Sequence, residues 1–123
     1  MANTLSEMAT FTDPQHELDP QRVKEMLDKG GIELIDVRED YEWEAGRIAG
    51  AKHIELERLA GRAEELPRDR PVVFQCRLGA RSAMATQAFR TAGFDAYNMS
   101  GGLIEWVRRG LPIEPQGGRV AEH

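Results

Sequence analysis

The sequence predicts an α/β domain with a mainly parallel central sheet flanked by helices on both faces, and three observations carry that prediction. Short aliphatic runs, IELIDV, PVVFQC and FDAYNM, alternate with segments of helical periodicity, the order expected of β-α units rather than of hairpins. The links between them are short and punctuated by Gly, Pro and Asp. PVVFQC is apolar almost throughout, as befits a strand buried on both faces at the centre of a parallel sheet.

Taken in order, residues 1–14 are polar and patternless and read as a flexible tail, residues 15–115 as one domain, and residues 116–123 as a second flexible tail. DPQRVKEMLDKGG predicts a helix with Asp19 as N-cap, Pro20 at the first helical position, Val23, Met26 and Leu27 on one face, and Gly30 as stop. IELIDV is a strand that opens into the charged stretch DVRED, YEWEAG a single helical turn, and residues 51–54 a further short strand. LERLAGRAEEL has helical spacing at Leu56, Leu59, Ala63 and Leu66 until Pro67 ends it. After the strand PVVFQC, RSAMATQAFRTAG predicts a helix with Met84, Ala85, Ala88 and Phe89 inward and Gly93 at its end. FDAYNM is another strand, SGG a turn, and LIEWVRRG a last helix stopped by Gly110 and Pro112.

At 123 residues and 41% hydrophobic content, the chain can bury one modest core, and a net charge of −5 argues against a nucleic-acid partner. The N-terminus lacks the pattern of a signal peptide and no run is long enough to span a bilayer, so a cytoplasmic protein with no membrane partner is expected. His16, His53 and His123 are far apart and lack ligand spacing, so no metal and no cofactor is expected. Trp43 and Trp106 read as packing residues, Gly101 and Gly102 as a turn, and Arg47, Arg58 and Arg62 as solvated surface charges, Arg47 lying where it would extend a positive rim.

Chemistry concentrates in QCRLGARS, which holds the single cysteine, Cys76, at the end of the central strand. Parallel sheets bind ligands beyond the carboxyl ends of their strands, which brings Asp36, Arg38 and Cys76 to one edge. Gly79 and the small Ala80 let the loop curl so that amide N–H groups point inward, and a curled loop feeding a helix N-terminus is an anion cradle that favours a thiolate. From Pro71 to Phe94 there is no Asp or Glu but there are three arginines, Arg77, Arg81 and Arg90. Guanidinium forks suit small oxyanions, so a small anionic substrate fits. A cysteine at a strand end is often an inert core thiol, and an arginine or glycine alone is a surface charge or a turn residue; their combination at one strand-to-helix junction favours a nucleophile.

These segments resemble the rhodanese family of sulfurtransferases. CRLGARS looks like the family's active-site loop, LIDVRE like its early strand-end signature, GRIAGAKHI like the loop that follows, and SGGLIEW with GLPIE like its closing segment, in the family's order from about Leu18 to Pro115. The third of these departs from the pattern, with Arg47 and Ala49 where the family often has histidine and proline.

The resemblance implies that Cys76 takes the outer sulfur of a donor such as thiosulfate, holds it as a persulfide, and passes it to cyanide or a thiol, possibly a protein thiol. It implies that the backbone from Arg77 through Leu78, Gly79 and Ala80 to Arg81 holds the persulfide. Arg81, with Arg77, would orient the donor's oxygens. Asp36, Arg38 and Ser82 would support the site. Two other readings stand beside it. One is a rhodanese-like module that binds a partner or senses redox state without turnover. The other is a cysteine phosphatase or arsenate reductase, against which Cys76 and Arg81 are spaced as CX4R rather than the phosphatase CX5R.

Overall fold

The computed structural model describes residues 13–123, so most of the predicted N-terminal tail lies outside the described residues. Five strands form one sheet: β1 (Glu17–Leu18), β2 (Glu33–Asp36), β3 (Lys52–His53), β4 (Val72–Gln75) and β5 (Ala96–Met99). Their order is β1-β5-β4-β2-β3, and every neighbouring pair is parallel. The apolar run PVVFQC supplies β4 at the centre, all four residues buried.

Five helices pack on the two faces: α1 (Pro20–Asp28), α2 (Asp40–Ala45), α3 (Leu56–Leu59), α4 (Ala80–Thr91) and α5 (Gly102–Arg108). On one face Leu59, Leu66, Phe89 and Phe94 close over Ile35, Phe74 and Ala96. On the other Val23, Ile48, Leu103 and Trp106 close over Leu34, Val73 and Met99. Alternate residues of β2 and β4 therefore feed opposite layers, which is why these strands are apolar throughout rather than alternating.

Local sequence explains the helix ends. The Asp19 carboxylate accepts the Arg22 N–H at 2.9 Å, capping α1 behind Pro20. Glu39 and Glu42 form a reciprocal capping box that starts α2.

Three expectations need correction. The single helix predicted over LERLAGRAEEL is α3 followed by a 3₁₀ segment, Ala60–Glu65, with non-helical dihedrals at Arg62, next to the weak helix former Gly61. In α4, Met84 and Ala88 face solvent, and the inner face is Ser82, Ala85, Thr86 and Phe89. The polar members can turn inward because they are satisfied locally: the Thr86 hydroxyl donates to the Ser82 carbonyl at 2.8 Å.

The third concerns residues 116–123, predicted as a tail, which instead fold back onto the domain. The Arg119 N–H donates to the Ala45 carbonyl at 2.8 Å, Val120 packs against the second core layer, and Ala121 is buried. At the other end, Asp13 and Pro14, predicted within the first tail, belong to a capped 3₁₀ turn over Pro14–His16 that leads into β1, a strand the sequence pattern did not announce.

Candidate functional site

Because the strands are parallel, β2, β4 and β5 end at the same edge, and Cys76 follows directly on β4. Three loop residues, Arg77, Leu78 and Gly79, link it to α4. Gly79 adopts a left-handed conformation (φ 110°) that a side chain would strain, and this turns the chain back so that α4 starts over the sulfur. The Cys76 Sγ accepts the Gly79 N–H at 3.1 Å, the Ser82 N–H at 3.4 Å and the Ser82 hydroxyl at 3.3 Å. A sulfur that accepts three donors at the start of a twelve-residue helix lies in a field that favours negative charge on it.

The loop is braced from α5. The Leu103 and Ile104 N–H groups donate to the carbonyls of Cys76 and Arg77 at 2.8 and 3.1 Å. That approach requires glycine at 102, since a Cβ there would stand 2.4 Å from the Arg77 oxygen and 2.6 Å from the Cys76 oxygen. Read from sequence as part of a turn, Gly102 is in fact the point of contact between two elements.

The predicted site residues separate into two groups. Cys76, Gly79 and Ser82 meet at the sulfur, with the exposed Leu78 and the exposed Ala80 on the outer side of the loop. Arg77 is half-buried beside them, and its Nε has no protein partner among the described residues. Asp36 and Arg38 are fully buried and bound to each other: Arg38 Nε and Nη2 donate to the carboxylate at 2.8–3.1 Å, and Nη2 also reaches the Gly46 carbonyl at 2.7 Å. This pair ties the end of β2 to the end of α2.

Arg81 differs most from the expectation. Its two guanidinium arms donate to both oxygens of Glu42, at 2.8 and 3.0 Å, so the fork assigned to a donor's oxyanion is already filled. Burial pulls the Arg81 guanidinium's pKa down, but the hydrogen bond and charge of Glu42, with the charges of Cys76 and Asp36, carry it above the ordinary value. Burial likewise pushes Glu42 up, and is outweighed by the Arg81 hydrogen bond, the Glu39 backbone N–H and the charges of Arg81 and His123, which hold it below the ordinary value.

Sequence reasoning missed Glu42. The available signal was the capping-box spacing Glu39–Glu42 in an acidic turn, within a fold whose cysteine loop carries arginines without a local counter-charge. Trp43, read from the sequence as a packing residue, stacks on His53 at 4.9 Å and has the Arg47 guanidinium 5.2 Å from its ring. Among the described residues no cluster of His, Cys, Asp and Glu could hold a metal ion, and no helix is long and apolar enough to cross a membrane.

Comparison with known proteins agrees with this architecture. The model of the rhodanese-like domain matches residues 19–109. The chain is 36% identical over 105 residues to a sulfurtransferase of Allochromatium vinosum, covering 83% of this chain and 98% of that protein. It is 31% identical over 106 residues to the thiosulfate sulfurtransferase GlpE of Actinobacillus pleuropneumoniae, covering 85% and 94%. Other relatives are longer, the chain spanning 25% and 38% of the length of two of them. A rhodanese-related protein from Thermoplasma volcanium superposes with a TM-score of 0.75 at 26% identity, over 80% of this chain and 97% of that one. With a matching domain model over most of its length and sulfurtransferases among its full-length relatives, the chain belongs to the rhodanese-like family of sulfurtransferases.

Proposed function

We propose that the protein moves a sulfane sulfur from a small anionic donor such as thiosulfate, through a persulfide on Cys76, to a thiophilic acceptor such as cyanide or a thiol, protein thiols included. The observation that carries this reading is the sulfur itself, set at the start of α4 with three hydrogen-bond donors on it. The names of the two full-length relatives support the same chemistry.

In the first half-reaction the Cys76 thiolate attacks the outer sulfur of thiosulfate. A bond forms between Sγ and that sulfur, the S–S bond of thiosulfate breaks, and sulfite leaves with the electron pair. In the second, cyanide or a thiolate attacks the outer sulfur, and the thiolate of Cys76 returns as leaving group. Both steps are nucleophilic displacements at sulfur and need no acid or base. The fixed N–H donors stabilise the anionic persulfide between the two steps.

Of the two loop arginines, the geometry favours Arg77 for the donor's oxyanion, since Arg81 is committed to Glu42. That commitment, with the short CX4R loop, also weighs against a phosphatase, in which the arginine must embrace the phosphate. With one cysteine in the chain, the acceptor comes from outside, and a lone thiol suits a reducing, cytoplasmic setting.

The test is intact-protein mass spectrometry before and after thiosulfate, and again after cyanide. The expected result is a gain of one sulfur atom that maps to Cys76, is lost to cyanide, and is absent in a folded Cys76→Ser variant. No gain on a reduced, free thiol would refute the reading and favour a module without turnover.

A further inference from the structure

We propose that Glu17 and Asn98 are positioning residues that clasp the cysteine loop and aim a hydrogen-bond donor at the sulfur. The inference rests on the reading of Cys76 as the reactive group and extends it to the first strand of the domain.

Glu17 on β1 lies directly opposite Asn98 on β5 in parallel register, so the two side chains leave the same face of the sheet. The Asn98 Nδ2 donates to both oxygens of the Glu17 carboxylate, at 3.1 and 3.2 Å, and reaches the Gly79 carbonyl at 3.4 Å. All of these partners are acceptors, so the amide can present only its NH2 to them, and its orientation is fixed by chemistry. The Ser100 hydroxyl donates to the same carboxylate at 2.7 Å and holds it in place.

Gly79 is where the clasp meets the reacting atom. Its carbonyl takes Asn98 Nδ2 and the first helical N–H, from Ala83, at 3.0 Å, while its own N–H points at Sγ from 3.1 Å. A glycine has wide freedom in both dihedrals, so the direction of that N–H is only as fixed as the carbonyl on the other side of the residue. Asn98 and Glu17 supply the restraint from outside the loop. Among the described residues the buried Asn98 Oδ1 has no partner, and an amide kept in so unfavourable a position is explained by the work of its NH2 end.

The experiment follows the rate of Cys76 alkylation by iodoacetamide across pH, by intact mass, in wild type, Asn98→Ala, Glu17→Ala and Glu17→Gln, with thermal melting to confirm folding. Asn98→Ala and Glu17→Ala are expected to slow alkylation at neutral pH by about tenfold, the loss of about one hydrogen bond to a charged group. Glu17→Gln keeps an oxygen acceptor for Asn98 and Ser100 and is expected to match wild type.

In the thiosulfate assay, kcat should fall in the two alanine variants while KM changes little. An unmoved alkylation profile in folded Asn98→Ala overturns the proposal, and so does equal loss in Glu17→Gln and Glu17→Ala, which would assign charge rather than a hydrogen-bonded clasp. Should Asn98→Ala fail to fold, the two Glu17 variants decide alone. Alkylation needs no sulfur donor, so absence of sulfur transfer would sink the proposed function without touching this result.

Discussion

Arg81, five residues beyond Cys76, gives both arms of its guanidinium to Glu42, a carboxylate with no solvent exposure on the short helix α2. The pair fastens the start of α4 to α2, and removing Arg81 leaves the buried Glu42 carboxylate without its charge partner. Arg81→Ala is expected to lower the free energy of unfolding by about 3–5 kcal/mol, read from urea denaturation. A loss below about 1 kcal/mol would show that the pair behaves as an exposed one.

The same pair sets an acid limit on stability. The Glu42 carboxyl is held below its ordinary value of 4.5 in the folded chain, so the unfolded chain binds its proton more readily. Its contribution is therefore complete above pH 4.5 and is lost as pH falls through the folded value. Glu105, held at about 2 by hydrogen bonds from Arg108 and Arg109, follows the same sign from the surface. Melting temperature is expected to fall below pH 4.5 in wild type and to do so less steeply in Glu42→Gln, which has no carboxyl to protonate there. Parallel curves for the two proteins would remove Glu42 from the account.

Arg77 and Arg81 should separate in kinetics. Arg77→Ala removes the half-buried side chain that follows the cysteine and is expected to raise KM for thiosulfate by about tenfold, the loss of one charge-assisted hydrogen bond, with stability nearly unchanged. Arg81→Ala is expected to act mainly on stability. A rise in KM confined to Arg81→Ala would restore the assignment first read from the sequence.

Gly102→Ala is expected to destabilise by more than about 1 kcal/mol, because the residue has φ 65° and its Cβ would collide with the carbonyls of Cys76 and Arg77. Gly110→Ala, also at positive φ but with nothing near its Cβ, is the control for strain without collision. Equal losses in the two variants would show that the close approach of α5 to the loop is unimportant.

The parts of the fold written in contiguous residues were readable from sequence: β4 as an unbroken apolar run, the Asp19–Pro20 cap, and the cysteine loop with Gly79 at its turn. What escaped depends on partners distant in the chain. Arg81 resembles a free oxyanion ligand until Glu42, 39 residues earlier, is seen to fill its fork. β1 has two residues, too few for periodicity to mark, and exists because β5 offers it an edge. The inward face of α4 was misjudged because apolar Met84 was ranked above Ser82, whereas Ser82 has the sulfur as partner.

The cysteine loop is held by α5 and by Asn98, which Glu17 grips across 81 residues of chain. During synthesis, then, Cys76 leaves the ribosome before the residues that complete its surroundings, since Asn98, Leu103 and Ile104 are all made after it. Domains fold as units, and strand pairings this distant form slowly. A nascent chain of this protein therefore carries its thiol for a time in an unfinished setting, and the sulfur gains its fixed surroundings only once α5 has docked on the loop.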